Sequence, residues 1–335
     1  MTAAEITSIF NLDFMNNNST NGRKFKLFCG SASPGLSESI AAKCNTQLGK
    51  TFLGRFSDGE IQFELLESVR GSDVYLIQST HNPCNDNIME LLIMADTMKR
   101  ASARSICAVI PYYGYGRQDR KTAPRTPISA RLIADLIATA GFDRVITVDL
   151  HAGQIQGFFN FPLDHLFFGT PVAIPYIGKK YSSDDLVVVS PDAGGTERAR
   201  IMAKMLKCPL AIVDKRRSAP NKAEAHNLIG DVDGKVAVIF DDIVDTAGTL
   251  CQSGKLIKEE GASKVIACAT HPVFSGPAIE RLSGSDFHEI IVSDTISLKD
   301  EAKKLKNLTV LSMSSLIGET IMRIQSDVSV SELID

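Results

Sequence analysis

At 335 residues the chain suggests about two domains of roughly 150 residues each, and 44 % hydrophobic with 7 % aromatic residues excludes a disordered polymer. Lys and Arg number 36 against 39 Asp and Glu, a net charge of −3, which lacks the basic excess that nucleic-acid backbones require. The longest apolar runs, such as 186–189 and 236–240, fall far short of the roughly 20 residues that span a bilayer, so a membrane partner is not expected either. Seven scattered cysteines (29, 44, 84, 107, 208, 251, 268) form no CxxC pair, which argues against a disulfide framework or a zinc site and for reduced cytoplasm. Residues 1–21, acidic at first and then Asn-rich, read as a loosely ordered extension and not as a leader.

From Lys26 onward, short β-branched runs alternate with helical periods. Strands are expected over 26–30, 74–78, 105–111, 145–149, 186–190, 210–213, 236–240, 265–270, 290–293 and 309–312. Amphipathic helices are expected over 87–101, 128–140, 196–206 and 249–260. Strand followed by helix, repeated, predicts an α/β fold with mainly parallel sheets flanked by helices, and continuously apolar strands predict sheets covered on both faces. The pattern runs twice, which places an N-terminal domain over 22–165 and a C-terminal one over 166–335. The last helix is free to pack on either half.

Two glycine-rich stretches are decoys. Gly49-Lys50-Thr51 ends like a phosphate loop, but Cys44 stands where its first glycine is needed. Gly114-Tyr115-Gly116 starts like a dinucleotide fingerprint, yet Asp119 occupies the third glycine position and no helix opens there.

The most informative segment is Val236 to Thr249: a buried strand ending in Asp241 and Asp242, then Asp245, Thr246, Ala247, Gly248 and Thr249 leading into a helix. Small residues let a phosphate reach the free N–H groups at a helix start. Carboxylates repel phosphate but accept hydrogen bonds from sugar hydroxyls, so the ligand should carry both groups, as a pentose phosphate does. An ordinary turn with an aspartate cap explains one acid, not three within five residues.

This segment resembles the ribose-phosphate motif of phosphoribosyltransferases. Phe56 to Glu60, Arg117 to Asp119, Val148 to Phe159, Pro191 to Gly195 and Asp214 to Arg217 then follow the order seen in the ribose-phosphate pyrophosphokinase family, over about residues 25–335. The resemblance implies two tandem phosphoribosyltransferase-like domains. It also implies transfer of the diphosphoryl group of ATP to the 1-hydroxyl of ribose 5-phosphate, giving phosphoribosyl diphosphate and AMP for nucleotide biosynthesis.

It makes Lys215 the catalytic cation, with Arg217 on the sugar phosphate and the transition state; a solvated basic run is the competing reading of Lys215 to Arg217, against which their place after a strand near the acid turn weighs. It puts ribose 5-phosphate on Asp241, Asp242, Asp245, Thr246, Ala247, Gly248 and Thr249. ATP falls to Phe56, Asp58, Gly59, Glu60, Arg117, Gln118 and Asp119, with adenine contacts supplied by a neighbouring subunit of a homo-oligomer, a hexamer. His151 and Asp192, at equivalent strand ends of the two halves, would hold Mg²⁺ in one cleft, although a histidine by itself suggests a softer metal or a water-mediated contact. The loop 116–127, basic and poor in apolar residues, reads as a lid over ATP.

Ser68, Arg70, Ser329 and Ser331 resemble a regulatory site for inorganic phosphate and ADP. The tail ends Glu332-Leu333-Ile334-Asp335 without the aromatic residue usual in that motif, and Ser31 and Ser33 stand where asparagines are common. The competing readings are a catalytically silent regulatory subunit, which would be expected to lose Lys215, His151 or the acid pair, and a phosphoribosyltransferase, which would not need a second α/β half.

Overall fold

The computed structural model describes residues 23–216 and 225–333, the side chains of 215, 216, 225 and 226 excepted. In chain order the elements are β1 (Phe25–Cys29), α1 (Pro34–Lys43), β2 (Thr51–Arg55), β3 (Ile61–Leu65), β4 (Asp73–Ile77), α2 (Cys84–Arg100), β5 (Ser105–Ile110), α3 (Ser129–Ala140), β6 (Arg144–Val148) and β7 (Leu163–Leu166). They continue with α4 (Ile174–Lys180), β8 (Leu186–Ser190), α5 (Thr196–Leu206), β9 (Leu210–Arg216), β10 (Ala225–Ile229), β11 (Val236–Val244) and α6 (Gly248–Glu259). The chain closes with β12 (Lys264–Pro272), α7 (Ala278–Ser283), β13 (Glu289–Ser293), β14 (Leu308–Leu311) and α8 (Ser314–Gln325). The α/β alternation expected from the sequence is therefore present. Among the described residues, 23–167, 295–297 and 312–333 make one compact unit, and 168–294 with 298–311 make the other.

The first unit holds a parallel sheet in the order β1-β4-β5-β6-β7. Its crossovers β4-α2-β5 and β5-α3-β6 step in one direction, so right-handed connections put both helices on one face. Val74 and Leu76 of β4 accordingly share a core with Leu91, Met94 and Met98 of α2 and Ile133 and Ile137 of α3. Tyr75 points to the opposite face because side chains alternate along a strand. There its hydroxyl accepts a hydrogen bond of 2.8 Å from Nε2 of Gln325, at the end of α8. The same amide reaches Asp73 Oδ2 at 3.2 Å, and Arg104 Nε and Ser105 Oγ donate to Asp73 Oδ1 at 2.8 and 2.6 Å. Burial alone would push the Asp73 carboxyl up, but the bonds from Arg104, Ser105 and Gln325 together outweigh it and hold the group below its ordinary range.

Helix α8 also lies against α1. At Gly318 a Cβ would stand 2.8 Å from Cβ of Lys43, so the two helices approach closely only because no side chain separates them. The returning segment is pinned by Ser297 Oγ, which donates to the Ala32 carbonyl at 3.0 Å, and by Ser79 Oγ, which donates to that of Thr295. The antiparallel hairpin β2-β3 stands apart from the main sheet, and Phe63 and Leu65 pack it onto the same core as α2.

The second unit has a seven-stranded sheet in the order β10-β9-β8-β11-β12-β13-β14, parallel except for the β9-β10 pair. From β8 the chain steps outward to β9 and β10, then returns to β11 on the other side of β8 and proceeds to β14. The boundary between β8 and β11 is thus the place where the winding direction reverses. Strand β11 is longer than the expected 236–240: pairing with β12 continues through Val244, opposite Pro272, so both acids are part of the strand. Among the described residues no helix is long and apolar enough to cross a membrane.

Two stability measurements follow from the α8 contacts. Helix propensity favours Gly318→Ala by about 1 kcal/mol. Contact with Lys43 reverses that sign, and a net loss of about 1 kcal/mol or more is expected in denaturant unfolding; a gain would mean that α8 withdraws from α1 without penalty. For Asp73→Asn the loss should be about 1–2 kcal/mol at pH 7. Because the folded carboxyl lies below its unfolded value, this contribution is present above the unfolded pKa and disappears as pH falls through the folded one. The gap between variant and wild type should therefore close on acidification, and a gap that does not change with pH would contradict the assignment.

Candidate active site

In parallel α/β sheets a ligand finds a crevice beyond the carboxyl ends of the strands, where the winding reverses. In the second unit that place lies between β8 and β11, and β9 is the other neighbour of β8. The order β9-β8-β11 therefore sets the chain following Ser190, the end of β9 with Lys215, and the acids of β11 side by side at one edge. Lys215 is opposite His226 in the β9-β10 ladder. Arg217 lies outside the described residues, as does the Lys215 side chain.

Beyond β8 the chain turns through Pro191-Asp192-Ala193-Gly194-Gly195 into α5. Asp192 Oδ1 accepts the Gly195 N–H at 2.9 Å, and Ser190 Oγ donates to the Asp192 carbonyl at 2.6 Å. The carboxylate is thus held in place by one oxygen, while Oδ2 has no hydrogen bond among the described residues.

On β11, Asp242 is buried and Asp241 half-buried. The Asp242 N–H donates to Asp241 Oδ1 at 2.9 Å, and Arg198 Nη1 lies 3.3 Å from Asp242 Oδ1 and 3.9 Å from Asp241 Oδ1. Desolvation raises the Asp241 pKa most, the adjacent Asp242 carboxylate raises it further, and Arg198 offsets only part of this. Two acids this close do not both ionise readily, so the pair retains a proton above the usual carboxylate range. Arg198 has no place in the sequence reading. Its signal was a cation in the first turn of a helix, where the macrodipole disfavours positive charge and a carboxylate partner is needed.

The strand ends at Val244, and Asp245 to Ala247 turn the chain into α6. Ala247 occupies the cap position with φ 58°, in the left-handed region, and no side chain caps the helix. The first N–H groups of α6 are thus left to an external acceptor. The structure brings Asp241, Asp242, Asp245, Thr246, Ala247, Gly248 and Thr249 together as one strand end, turn and helix start.

In the first unit, Arg117, Gln118 and Asp119 follow β5 and His151 follows β6, both at the carboxyl edge of the sheet. Gln154 Nε2 donates to Asp119 Oδ2 at 2.5 Å, and the Gln118 carbonyl accepts the Ala130 N–H at 3.2 Å, so the two loops are tied to each other and to α3. Phe56 to Glu60 form the tip of the β2-β3 hairpin. Asp58 Oδ1 accepts the Glu60 N–H at 3.1 Å, Gly59 adopts φ 93° and Phe56 is 51 % exposed. Arg55, the last strand residue before this tip, pairs with Asp86 at 2.7 Å, and the Tyr115 hydroxyl donates to the adjacent Asn85 at 2.5 Å, so hairpin and loop meet the same first turn of α2. Ser68 and Arg70 lie on the turn between β3 and β4. Ser329 and Ser331 lie in the tail after α8, where Arg323 Nη1 holds the Ser329 carbonyl at 2.8 Å. Among the described residues no group of three or more His, Cys, Asp or Glu could hold a metal ion.

Residues 25–141 match the N-terminal domain of ribose phosphate pyrophosphokinase, and residues 212–335 match the phosphoribosyl synthetase-associated domain. A ribose-phosphate pyrophosphokinase of Oceanobacillus iheyensis is 54 % identical over 310 residues, which cover 92 % of this chain and 97 % of that protein. The chloroplastic ribose-phosphate pyrophosphokinase 2 of Arabidopsis thaliana is 55 % identical over 317 residues, covering 94 % of this chain and 79 % of that protein. The crystal structure of phosphoribosylpyrophosphate synthetase from Mycobacterium smegmatis is similar at a TM-score of 0.86 with 41 % identity, covering 91 % of this chain and all of that one (100 %). Taken with the acid-bearing strand end and the open helix start, these likenesses establish that the chain belongs to the ribose-phosphate pyrophosphokinase family.

Proposed function

We propose that this chain transfers the β,γ-diphosphoryl group of ATP to the anomeric hydroxyl of ribose 5-phosphate. A bond forms between that hydroxyl oxygen and the β-phosphorus, the bond from the β-phosphorus to the oxygen of the α-phosphate breaks, and AMP leaves. The observation that carries this reading is the run of acids on β11 leading directly into the uncapped start of α6. The helix start suits the 5-phosphate, and the Asp241 and Asp242 carboxylates suit the ribose hydroxyls as acceptors, which orients the sugar with its anomeric carbon outward.

Lys215 supplies positive charge where the transferring group accumulates negative charge, and Arg217 acts on the sugar phosphate and the same transition state. Mg²⁺ retains several waters and takes few protein ligands when it is bound to phosphates, a habit that the held Asp192 carboxylate with its open Oδ2 fits. When bound, the ion would neutralise the ATP phosphates and polarise the β-phosphorus. His151, which the family resemblance pairs with Asp192, would be a further contact to the metal–nucleotide complex. Phe56, Asp58 and Glu60 lie near adenine, with Gly59, Arg117, Gln118 and Asp119 also on ATP; the exposed ring of Phe56 at a hairpin tip suits a contact donated to a neighbouring subunit of a homohexamer. Inorganic phosphate and ADP act at Ser68, Arg70, Ser329 and Ser331. Seven cysteines without a disulfide among them support a reducing cytoplasm.

Incubation with Mg²⁺, ATP and ribose 5-phosphate should yield AMP and phosphoribosyl diphosphate in equal amounts, stimulated by inorganic phosphate. Lys215→Ala should lower kcat roughly a hundredfold or more. Absence of AMP in the wild-type reaction would sink the proposal.

A second measurement probes the acid pair. A carboxyl whose folded pKa is raised loses stability as pH climbs from its unfolded value to its folded one, because the folded state must give up a proton it favours. Asp241→Asn removes that penalty. The variant should melt higher than wild type, by a margin that grows between pH 5 and pH 8, while its KM for ribose 5-phosphate rises. A margin that shrinks with pH would show that Asp241 is ionised and well paired in the fold.

A further inference from the structure

The turn between β11 and α6 has to be held with its N–H groups facing a ligand, and its carbonyls show how. The Val244 carbonyl accepts the Phe274 N–H at 3.0 Å, and the Asp245 carbonyl accepts the Ser275 N–H at 2.9 Å. The third carbonyl in succession, that of Thr246, accepts a side-chain donor, Nη1 of Arg281, at 2.9 Å. All three donors come from the segment that follows β12 and runs into α7. With its carbonyls satisfied on that side, the turn presents its amides on the other.

Arg281 is exposed, and the bond to Thr246 is the sole hydrogen bond of its side chain among the described residues, so most of its five guanidinium N–H donors remain open. Its Nη1 lies where a Cβ on Gly248 would be only 3.1 Å away, which sets the guanidinium against the first residue of α6. Electrostatics alone would not favour this. A helix start is the positive end of the macrodipole, and a cation beside it is repelled unless an anion sits between them. Two independent positive sources converging on one glycine are the arrangement a phosphate dianion requires.

We propose that Arg281 is the positioning residue of the sugar-phosphate turn: its guanidinium fixes the Thr246 carbonyl, so that the amides of α6 face the 5-phosphate, and adds its own charge to theirs. The inference rests on the reading of 245–249 as the ribose 5-phosphate site. It explains how the enzyme distinguishes a phosphorylated pentose from a free one with a turn built of small residues, since the discriminating charge comes from 35 residues further along the chain.

The test is steady-state kinetics of Arg281→Met and Arg281→Lys beside wild type, with Thr249→Ala as an independent probe of the same turn. Loss of a charge-assisted hydrogen bond should raise the KM for ribose 5-phosphate about tenfold or more in Arg281→Met. Its kcat at saturating sugar phosphate and its KM for ATP should stay within about twofold, and its melting temperature should be unaltered. Arg281→Lys retains the charge but not the planar fork and should fall between the two. The KM for ribose 5-phosphate should also depend less steeply on ionic strength in Arg281→Met than in wild type, which a purely structural role would not produce. An unchanged KM in Arg281→Met while Thr249→Ala raises it overturns the role of Arg281 and leaves the site intact. If neither variant moves the KM, the reading of 245–249 falls as well. A joint fall in kcat, ATP affinity and melting temperature would overturn the proposal in favour of a packing role.

Discussion

A helix that begins directly after a buried parallel strand leaves amide groups with nothing to bond, and the second unit is organised around that constraint at α6. No side chain caps this helix, and Ala247 is held left-handed at its entrance, a conformation that costs an alanine about 1–2 kcal/mol. An uncapped start of this kind leaves room for the anion proposed above, and such backbone strain clusters at ligand sites.

The charges nearby follow the same logic. Asp241 and Asp242 stand next to each other on one strand, which disfavours ionisation of both, and Arg198 from α5 is the local cation that moderates the repulsion. The reversal of winding between β8 and β11 sets the neighbouring chain ends along the same edge, so groups distant in sequence become adjacent without any long loop. A sugar phosphate would supply hydroxyl donors for the acids and an anion for the amides. The acids and the amides thus ask for complementary groups, which the proposed sugar phosphate carries together.

In the first unit the dependence runs through the end of the chain. Crossovers that step in one direction place α2 and α3 on the same face, which leaves the face bearing Tyr75 to be covered by α1 and α8. The Gln325 amide bonds both Asp73 and Tyr75, a connection over some 250 residues (252 and 250). The sheet whose carboxyl edge carries Arg117 to Asp119 and His151 thus acquires its second covered face only when the C-terminal helix has been made. Loops at such an edge are held by a sheet covered on both faces, and the proposed phosphoryl transfer asks mostly for positioning.

Much of this was legible beforehand. The two-fold succession of apolar strands and amphipathic helices marks α/β units by periodicity alone, and Asp241 to Thr249 stands out because three acids and a run of small residues follow one apolar strand. Ile61–Leu65 alternates apolar and polar residues, the period-2 signal of the β3 strand that the expected strands above omit. Arg198 left a fainter mark as a cation in a helix's first turn. Arg281 left none, since nothing local at position 281 refers to Thr246. The same holds for the extension of β11 to Val244, which depends on the length of its neighbour β12, and for the unit that α8 joins. The amino-acid sequence by itself determined the periodicities and the functional groups, because these are properties of adjacent residues. Which strand lies beside which, and which distant side chain closes a network, only the tertiary structure decided, because those contacts arise from crossover direction and packing between segments that share no local signal.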